Sequence, residues 1–164
     1  MLSGEFNAVL DDRNRITLPA QLRKELAAQL PEKTETIPVF LSKGDDNCLW
    51  LHSSDKWNEM IANPIKKFTN PFSNEGRRLL RKYVGASQTI EVDKAGRILI
   101  SEGLLEYSGI SKECVVIGQL DYIEIWDKER YLKYCNEDDK DNEAEFFDAR
   151  IKLGQRIDKD KGIE

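Results

Sequence analysis

The chain has 164 residues, of which 40% are hydrophobic and 34% are charged, and its net charge is −5 at pH 7. These values are typical of a folded protein with one domain, or with two small domains of about 80 residues each. No apolar run approaches the roughly 20 residues that span a bilayer, and the first ten residues lack the basic start and apolar core of a signal peptide. We therefore expect a soluble cytoplasmic protein with no membrane partner.

Cysteine and histidine are too few and too scattered for the common catalytic and metal sites. Cys48, Cys114 and Cys135 form no Cys-x-x-Cys pair, and His52 is the single histidine of the sequence. This pattern predicts free thiols, a reducing compartment and no metal site. The sequence also lacks a paired nucleophile and base and a glycine-rich phosphate loop, so we expect no enzyme, no cofactor and no small-molecule substrate. We interpret His52 as a half-exposed residue at the end of a strand.

Charge is distributed unevenly along the chain. Residues 136–164 contain ten acidic and six basic residues, which leaves residues 1–135 with a net charge of only −1. The basic residues of that part include two clusters, Arg13 with Arg15, and then Lys66, Lys67, Arg77, Arg78, Arg81 and Lys82. Because the charge near a binding surface matters more than the total, nucleic-acid binding is not excluded. Within the second cluster, we expect a solvated helix face that pairs with acidic neighbours, formed by Arg77, Arg78, Arg81 and Lys82. A secondary role in positioning DNA phosphates is the alternative for this run.

The two halves of the chain share one order of predicted elements. The first half begins with a strand at Phe6–Leu10, a turn at Asp11–Asn14 and a strand at Arg15–Leu18. A helix follows Pro19, with Leu22, Leu26 and Leu30 on one face. A hairpin at Val39–Leu51 and a helix capped by Ser54 complete this half. The second half has the same order, with a strand at Thr89–Val92, a turn at Asp93–Gly96 and a strand at Arg97–Ile100. A helix near Glu102–Tyr107 ends at Gly109. A hairpin at Val115–Ile125 and a helix from Lys128 follow. Each half alone is too small to bury a good core, so we expect the two copies to complete each other.

The segments outside the two copies have their own patterns. Residues 63–87 contain a helical stretch around Arg78–Tyr83, which predicts a connecting helix rather than a flexible linker. The acidic tail after Asn136 contains a few apolar residues, namely Phe146, Phe147, Ile151 and Leu153. This tail is predicted to be a short amphipathic helix or disordered.

The most informative repeat is the motif Asp-x-x-x-Arg, which begins at Asp11 and again at Asp93, 82 residues later. In each copy, a residue that tolerates left-handed backbone precedes the arginine: Asn14 in the first copy and Gly96 in the second. An apolar strand follows each arginine. A single Asp-x-x-x-Arg motif would not identify a protein family, whereas two copies with matching flanking segments are specific enough to do so.

These motifs resemble the swapped-hairpin DNA-binding module of the AbrB type, and two such modules in one chain resemble the MraZ family of bacterial transcriptional regulators. The resemblance covers residues 1–135 and rests on Gly4-Glu5-Phe6, Leu10–Pro19, Asn70-Pro71-Phe72, Arg77-Arg78, Gly85-Ala86-Ser87, Asp93–Arg97, Val115–Gly118 and Ile123–Trp126. It implies an α+β fold of two repeated AbrB-like swapped-hairpin β modules with short helices, joined by a central helix. The implied boundaries are 1–62 and 88–135 for the modules, 63–87 for the connecting helix and 136–164 for the acidic tail, which is a short helix or disordered.

The same resemblance implies a cytoplasmic, nucleoid-associated regulator. It would bind double-stranded DNA as a homo-oligomeric ring, at repeated boxes in the promoter of a cell-division and cell-wall gene cluster. The implied DNA-binding residues are Arg13, Asn14, Arg15, Lys94 and Arg97, and the implied turn-bracing residues are Asp11, Asp93 and Gly96. The family usually has glycine where this chain has Asn14, and we expect the turn to be retained because asparagine also tolerates left-handed backbone.

The roles of the two motif arginines stay open at the level of sequence. Arg15 and Arg97 can contact phosphate or guanine, or they can pair with Asp11 and Asp93 inside the turn, and the two roles are compatible. Because the first hairpin has the additional Arg13, we expect it to be the main DNA-contacting hairpin.

A protein-interaction role is the alternative function. The acidic tail and the adjacent Phe146 and Phe147 favour an AbrB-type protein-interaction module or antitoxin-like scaffold. Trp50, Trp57 and Trp126 lie at strand ends or helix starts, which is more typical of core or subunit-interface packing than of platforms that stack bases.

Overall fold

The computed structural model describes residues 1–141 and 143–162. The strands of this part are β1 Leu2–Val9, β2 Arg15–Thr17, β3 Ile37–Lys43, β4 Leu49–Ser53, β5 Gln88–Val92, β6 Arg97–Leu99, β7 Glu113–Leu120 and β8 Tyr122–Asp127. Its α-helices are α1 Ala20–Ala28, α2 Ser54–Trp57, α3 Asn63–Phe68, α4 Asn74–Leu79, α5 Glu102–Ser108, α6 Lys128–Asp141 and α7 Glu143–Asp160. Wider helical turns at Asn58–Ala62 and Leu80–Gly85 join α2 to α3 and extend α4. This mixture of helices and antiparallel sheet confirms the predicted α+β class.

The two copies exchange their first strands. Six strands form one antiparallel sheet in the order β1-β7-β8-β4-β3-β5, and β2 pairs with β6 in a separate ribbon. β1 of the first copy pairs with β7 of the second, and β5 of the second copy pairs with β3 of the first. The two hairpins meet at the centre of the sheet, where β4 pairs with β8. Each copy therefore supplies a strand that the other copy needs, which is the swapped arrangement implied by the resemblance.

The ribbon and the helices that follow it contribute to one hydrophobic core. Ile16 of β2 lies opposite Ile98 of β6, and both side chains are fully buried. Leu22 and Leu26 on α1 join the same cluster, as does Leu104 on α5. Because both copies supply its residues, this core supports the expectation that neither copy is sufficient by itself.

Some helix boundaries differ from the predicted ones. α1 ends two residues before Leu30, since the residue that precedes a proline disfavours helical backbone. The N-cap of α2 is Ser53, whose hydroxyl oxygen accepts a hydrogen bond from the Lys56 N–H, so the cap lies one residue earlier than predicted. The central helix is present over residues 74–85, and a turn at residues 69–73 separates it from α3.

Contacts within the chain divide it into a body, Met1–Lys128, and a C-terminal unit, Glu129–Glu164. Where the structure describes the C-terminal unit, its residues form the long helices α6 and α7, and α7 alone spans 18 residues. No residue of α7 is buried. None of the described helices combines the length and apolar character that a membrane-spanning helix requires.

His52 lies inside the body, so the prediction of a half-exposed histidine is wrong. Its side chain belongs to β4, which has a neighbouring strand on each side, and the residue is only 1% exposed. Its ring stacks on Tyr122 with 5.1 Å between centroids and meets Trp50 and Trp57 edge to face. Burial among these rings lowers the pKa of His52 to about 4.

We expect the protein to lose stability as the pH falls from about 6.5 to 4. An unfolded histidine gains its proton near pH 6.5, whereas buried His52 stays neutral down to about pH 4, so the unfolded state binds more protons in this window. The loss from this residue is on the order of 3 kcal/mol at the acid end of the window. Urea unfolding at several pH values measures it, and the His52→Phe variant should lack this part of the pH dependence. The same pH dependence in that variant would assign the loss to other groups.

Candidate nucleic-acid interface

In both Asp-x-x-x-Arg turns the aspartate accepts hydrogen bonds from the backbone N–H and the Nε of its arginine. One oxygen of Asp11 accepts from the backbone N–H groups of Arg13 and Arg15, each at 2.9 Å, and the other lies 3.2 Å from the Arg15 Nε. In the second turn, Asp93 accepts from the Arg97 backbone N–H at 2.8 Å and from its Nε at 2.9 Å. The four-residue spacing thus lets each aspartate hold both the backbone and the side chain of its arginine.

These contacts keep both aspartates charged and leave each arginine with free donors. The pKa of Asp11 is lowered chiefly by the hydrogen bond from the Arg15 N–H, and the pKa of Asp93 is lowered chiefly by the one from the Arg97 N–H. Both ion pairs use the arginine Nε. No group in the described part of the chain accepts from the terminal nitrogens of these two arginines. One arginine side chain can therefore brace its turn through Nε and contact a ligand through its terminal nitrogens.

Asn14 and Gly96 occupy equivalent left-handed positions, with φ of 60° and 82°. The turn is retained with asparagine in the glycine position, as expected from its tolerance of this backbone. Both residues also connect the hairpins, because the Leu18 N–H donates to the Gly96 carbonyl at 2.8 Å and the Ile100 N–H donates to the Asn14 carbonyl at 2.9 Å. These reciprocal bonds fix each turn to the strand of the other hairpin.

A side chain at Gly96 would be strained by the left-handed backbone and would displace the flexible side chain of Arg23 on α1. A Cβ at this position would lie 2.1 Å from the Arg23 Nη1, and a φ of 82° is itself unfavourable for a side chain. We expect Gly96→Ala to lower the free energy of unfolding by roughly 1–3 kcal/mol. Urea denaturation measures the loss, and Asn14→Gly at the equivalent position is the control, with an expected change within about 1 kcal/mol. Equal losses in the two variants would argue against a special constraint at Gly96.

The ribbon places both motif arginines on one surface. Arg15 lies opposite Leu99, and Thr17 lies opposite Arg97. Because successive side chains of a strand point to opposite faces, these four share the face turned away from the buried isoleucine pair. We call Arg15, Thr17, Arg97 and Leu99 the outer ribbon face. The strands are antiparallel, so the two turns lie at its opposite ends.

The two ends of the outer ribbon face differ in their available charge. Arg13 at the first end is exposed, and its guanidinium has no hydrogen-bond or ion-pair partner among residues 1–141 and 143–162. Lys94 at the second end lies 3.1 Å from the Glu35 carboxylate. The Arg15 and Arg97 side chains are 24% and 38% exposed. The first end therefore presents an uncompensated cation, whereas the second presents a surface ion pair.

Sequence reasoning missed three residues of this surface: Thr17, Leu99 and Arg23. Leu99 is 56% exposed, although its neighbours Ile98 and Ile100 are buried. Because Ile98, Leu99 and Ile100 are all apolar, the sequence does not indicate that Leu99 lies on the exposed face of the strand. Contact of Arg23 with the second turn joins residues far apart in sequence, and no local pattern signals it.

The second basic cluster is only partly paired with acidic residues. Lys82 lies 3.3 Å from the Asp45 carboxylate, as expected for a solvated helix face. Arg77 instead donates to the Pro71 carbonyl at 3.2 Å and to the Asn74 side chain. Arg77 thus stabilises the start of its own helix through neutral oxygens. The expected pairing with an acidic residue is therefore observed for Lys82 but not for Arg77.

The outer ribbon face has the chemistry of a nucleic-acid-binding surface. A two-stranded ribbon fits the major groove of B-DNA, and an arginine fork can bond a phosphate or the O6 and N7 atoms of guanine. In the part of the chain that the structure describes, no three histidine, cysteine, aspartate or glutamate side chains are placed to hold a metal ion. The site is a contact surface supported by a braced backbone.

The chain matches known proteins along most of its length. A family model described as MraZ protein, antitoxin-like, matches residues 1–81 and 83–153. The transcriptional regulator MraZ of Treponema denticola is 34% identical over 154 residues, which cover 94% of this chain and 98% of the relative. The transcriptional regulator MraZ of Caldicellulosiruptor bescii is 39% identical over 133 residues, which cover 81% of this chain and 85% of the relative. This chain therefore belongs to the MraZ family.

Proposed function

We propose that the chain is a sequence-specific DNA-binding transcriptional regulator that contacts the major groove with its outer ribbon face. The observation that carries the proposal is the placement of Arg15 and Arg97 on one face, with the uncompensated Arg13 at one end. The names of the relatives support a regulatory role. The proposal assigns the chain no catalytic role, cofactor, metal or small-molecule substrate.

The first hairpin is the main DNA-contacting element in this proposal. Arg13 and Arg15 offer guanidinium forks, and Asn14 between them offers an amide. The second hairpin adds Arg97 and Lys94, and the contact of Lys94 is weakened by competition from its ion pair with Glu35. The turns are braced by Asp11, Asp93 and Gly96.

One outer ribbon face is too short to specify a promoter. Its strands have three residues each, which extend about 10 Å, or roughly three base pairs at 3.4 Å per pair. We infer that the chain acts as a homo-oligomeric ring whose subunits contact repeated boxes in the promoter of a cell-division and cell-wall gene cluster. Several linked weak contacts bind much more tightly than one. The place of action is the nucleoid, in the cytoplasm.

The module boundaries belong to the same proposal. Residues 1–62 and 88–135 are the two AbrB-like modules, residues 63–87 connect them, and residues 136–164 lie outside the DNA-contacting part. The exchange of β1 and β5 between the copies supports treating the two modules as one functional body.

Footprinting on the gene's own upstream DNA tests the proposal, with oligomer mass measured on the same sample. We expect several protected boxes at regular spacing and a single oligomer mass. The affinity should fall with salt, with a log–log slope near −0.9 for each phosphate that a basic side chain neutralises. Unprotected DNA at low salt would contradict the proposed function, whereas protection of one box by a monomer would contradict only the ring.

A protein-interaction module is the second candidate function. The antitoxin-like description of the family favours it, as do the exposed Phe146 and Phe147 of the tail. Full-length chain that retains no promoter DNA at low salt, but forms a stable complex with one other protein, would support this candidate over the first.

A further inference from the structure

Leu99 is the one purely apolar member of the outer ribbon face. The other members are Arg15, Thr17 and Arg97, and Leu99 lies directly opposite Arg15 in the register of β2 and β6. Leu99 is 56% exposed, although the residues before and after it are buried in the core. A single exposed leucine is ordinary on a protein surface. This one differs because it lies beside two arginines whose terminal nitrogens have no acceptor in the described part of the chain.

The neighbouring arginines fix where Leu99 would lie relative to a bound base pair. Cross-strand neighbours have Cβ atoms about 5 Å apart, and residues two apart on one strand are about 7 Å apart. With base pairs stacked at about 3.4 Å, Leu99 lies within roughly two base-pair steps of a base contacted by Arg15 or Arg97. Leucine has no hydrogen-bond donor or acceptor in its side chain, so its contact there has to be with an apolar group.

The base edges in the major groove of B-DNA offer one such group, the C5-methyl of thymine. Guanine, adenine and cytosine present nitrogen and oxygen atoms that donate or accept hydrogen bonds. The thymine methyl projects into the groove, where it can be met by a side chain that is shorter than arginine. An apolar side chain distinguishes thymine by van der Waals contact with this methyl, and removing a group of this size from water strengthens binding by about fourfold.

The two motif copies differ at this position. With the offset of 82 residues between the copies, Leu99 corresponds to Thr17. The threonine side chain combines a methyl with a hydroxyl, so it can contact a thymine methyl or bond the polar edge of another base. Leucine can make only the first kind of contact. The second hairpin, which has less available charge, is therefore the one with the stricter requirement for thymine.

We propose that Leu99 contacts the C5-methyl of a thymine in the bound DNA. The contact favours boxes in which thymine lies within about two base pairs of a guanine that Arg15 or Arg97 bonds. This inference rests on the proposed DNA-binding function and adds a determinant of base preference to it. DNA supplies both the acceptors for the two guanidinium groups and the methyl for Leu99, whereas a protein on this face would need acidic side chains around an apolar one.

Replacement of thymine by deoxyuridine in the protected boxes tests the contact, because it removes the methyl and keeps the base pair and the phosphate charge. The unsubstituted chain should bind uracil-containing boxes about fourfold more weakly for each methyl contacted. Leu99→Ser should bind the thymine boxes more weakly by the same factor and should bind both DNAs equally. Leu99→Ala is a second truncation with the same expected result, and Leu99→Met, which keeps an apolar side chain of similar reach, should retain the preference.

Two controls isolate the methyl contact. Uracil placed only between the boxes should leave the affinity unchanged. Leu132→Ser is the matched protein control, because this leucine of α6 is 52% exposed and lies outside the ribbon, so the variant should keep the preference for thymine.

Equal binding of the two DNAs by the unsubstituted chain, or a preference that persists in both Leu99→Ser and Leu99→Ala, would overturn the proposal and leave the DNA-binding function intact. Boxes that contain no thymine near a guanine would overturn it as well. A changed oligomer mass in Leu99→Ser, with the preference for thymine unchanged, would mean that Leu99 contacts another copy of the chain. Absence of all DNA binding at low salt would contradict the proposed function itself.

Discussion

Replacement of Arg13 and Arg15 together by alanine will remove most of the affinity for promoter DNA. Each arginine that bonds a base edge or phosphate with two donors contributes roughly 1–3 kcal/mol, so the double variant should bind at least about 30-fold more weakly. The log–log salt slope should also become shallower by about 0.9 for each phosphate that the variant no longer neutralises. Arg15 should affect base preference more than Arg13 does, because its backbone and Nε are held by Asp11 and its terminal donors have a defined direction. Titration of labelled DNA at several salt concentrations measures both quantities.

The matched control removes the same charge from another element. Lys66→Ala with Lys67→Ala on α3 lowers the net charge equally and should reduce affinity only slightly. A second comparison, Lys94→Ala, should also have a small effect, since that lysine is already engaged by Glu35. If the lysine pair and the arginine pair weaken binding equally, the effect is one of net charge and the outer ribbon face is not the DNA-contacting surface.

Truncation of the isoleucine pair beneath the ribbon will destabilise the whole body. Ile16 and Ile98 are opposite each other and fully buried, so Ile98→Ala should cost about 2–5 kcal/mol, through reduced burial and the cavity left behind. Ile16→Ala should cost a similar amount. Because the two side chains line one site, the double variant should lose less than the sum of the single losses. Urea unfolding of the three variants measures these free energies.

The neighbouring Leu99→Ala is the control for this prediction. Leu99 follows Ile98 directly but is 56% exposed, so its truncation should change stability by less than about 0.5 kcal/mol. The comparison uses adjacent residues of one strand that differ mainly in the face they occupy. A large loss with Leu99→Ala and a small one with Ile98→Ala would mean that the ribbon is turned over and that the assigned outer face is wrong.

The local parts of the fold could be predicted because their causes lie within a few residues. The turn at Asp11 needs an acceptor four residues before an arginine and a left-handed residue between them, and both are visible in the sequence. The helix end at Gly109 was predicted for the same reason and is confirmed, with φ of 70°. Because the residues that form each turn are close in sequence, the two turns are the part of the candidate site that the sequence predicts best.

The joining of the two turns in one surface could not be predicted in the same way. The pairing of β2 with β6 brings Arg15 and Arg97 together, and it depends on burial of apolar side chains from both copies rather than on any local pattern. His52 was misplaced for a related reason. His52 is buried because Tyr122 of the second copy and Trp57 of α2 pack against it, and which elements cover a strand end is a long-range property. Composition and periodicity do not contain this information.

The exchange of first strands also sets a limit on how the chain folds during its synthesis. Leu2 of β1 pairs with Leu120 of β7, so the N-terminal strand leaves the ribosome more than a hundred residues before its neighbour. At usual elongation rates of 5–20 residues per second, β1 waits roughly 5–20 s for that neighbour. During this time β1 lacks the strand of its own chain with which it pairs in the finished sheet. Other nascent copies in the same polysome carry the same unpaired strand. The order of strands in the finished sheet thus leaves the nascent first half with an unpaired strand until β7 has been made, and slower translation would prolong this exposure.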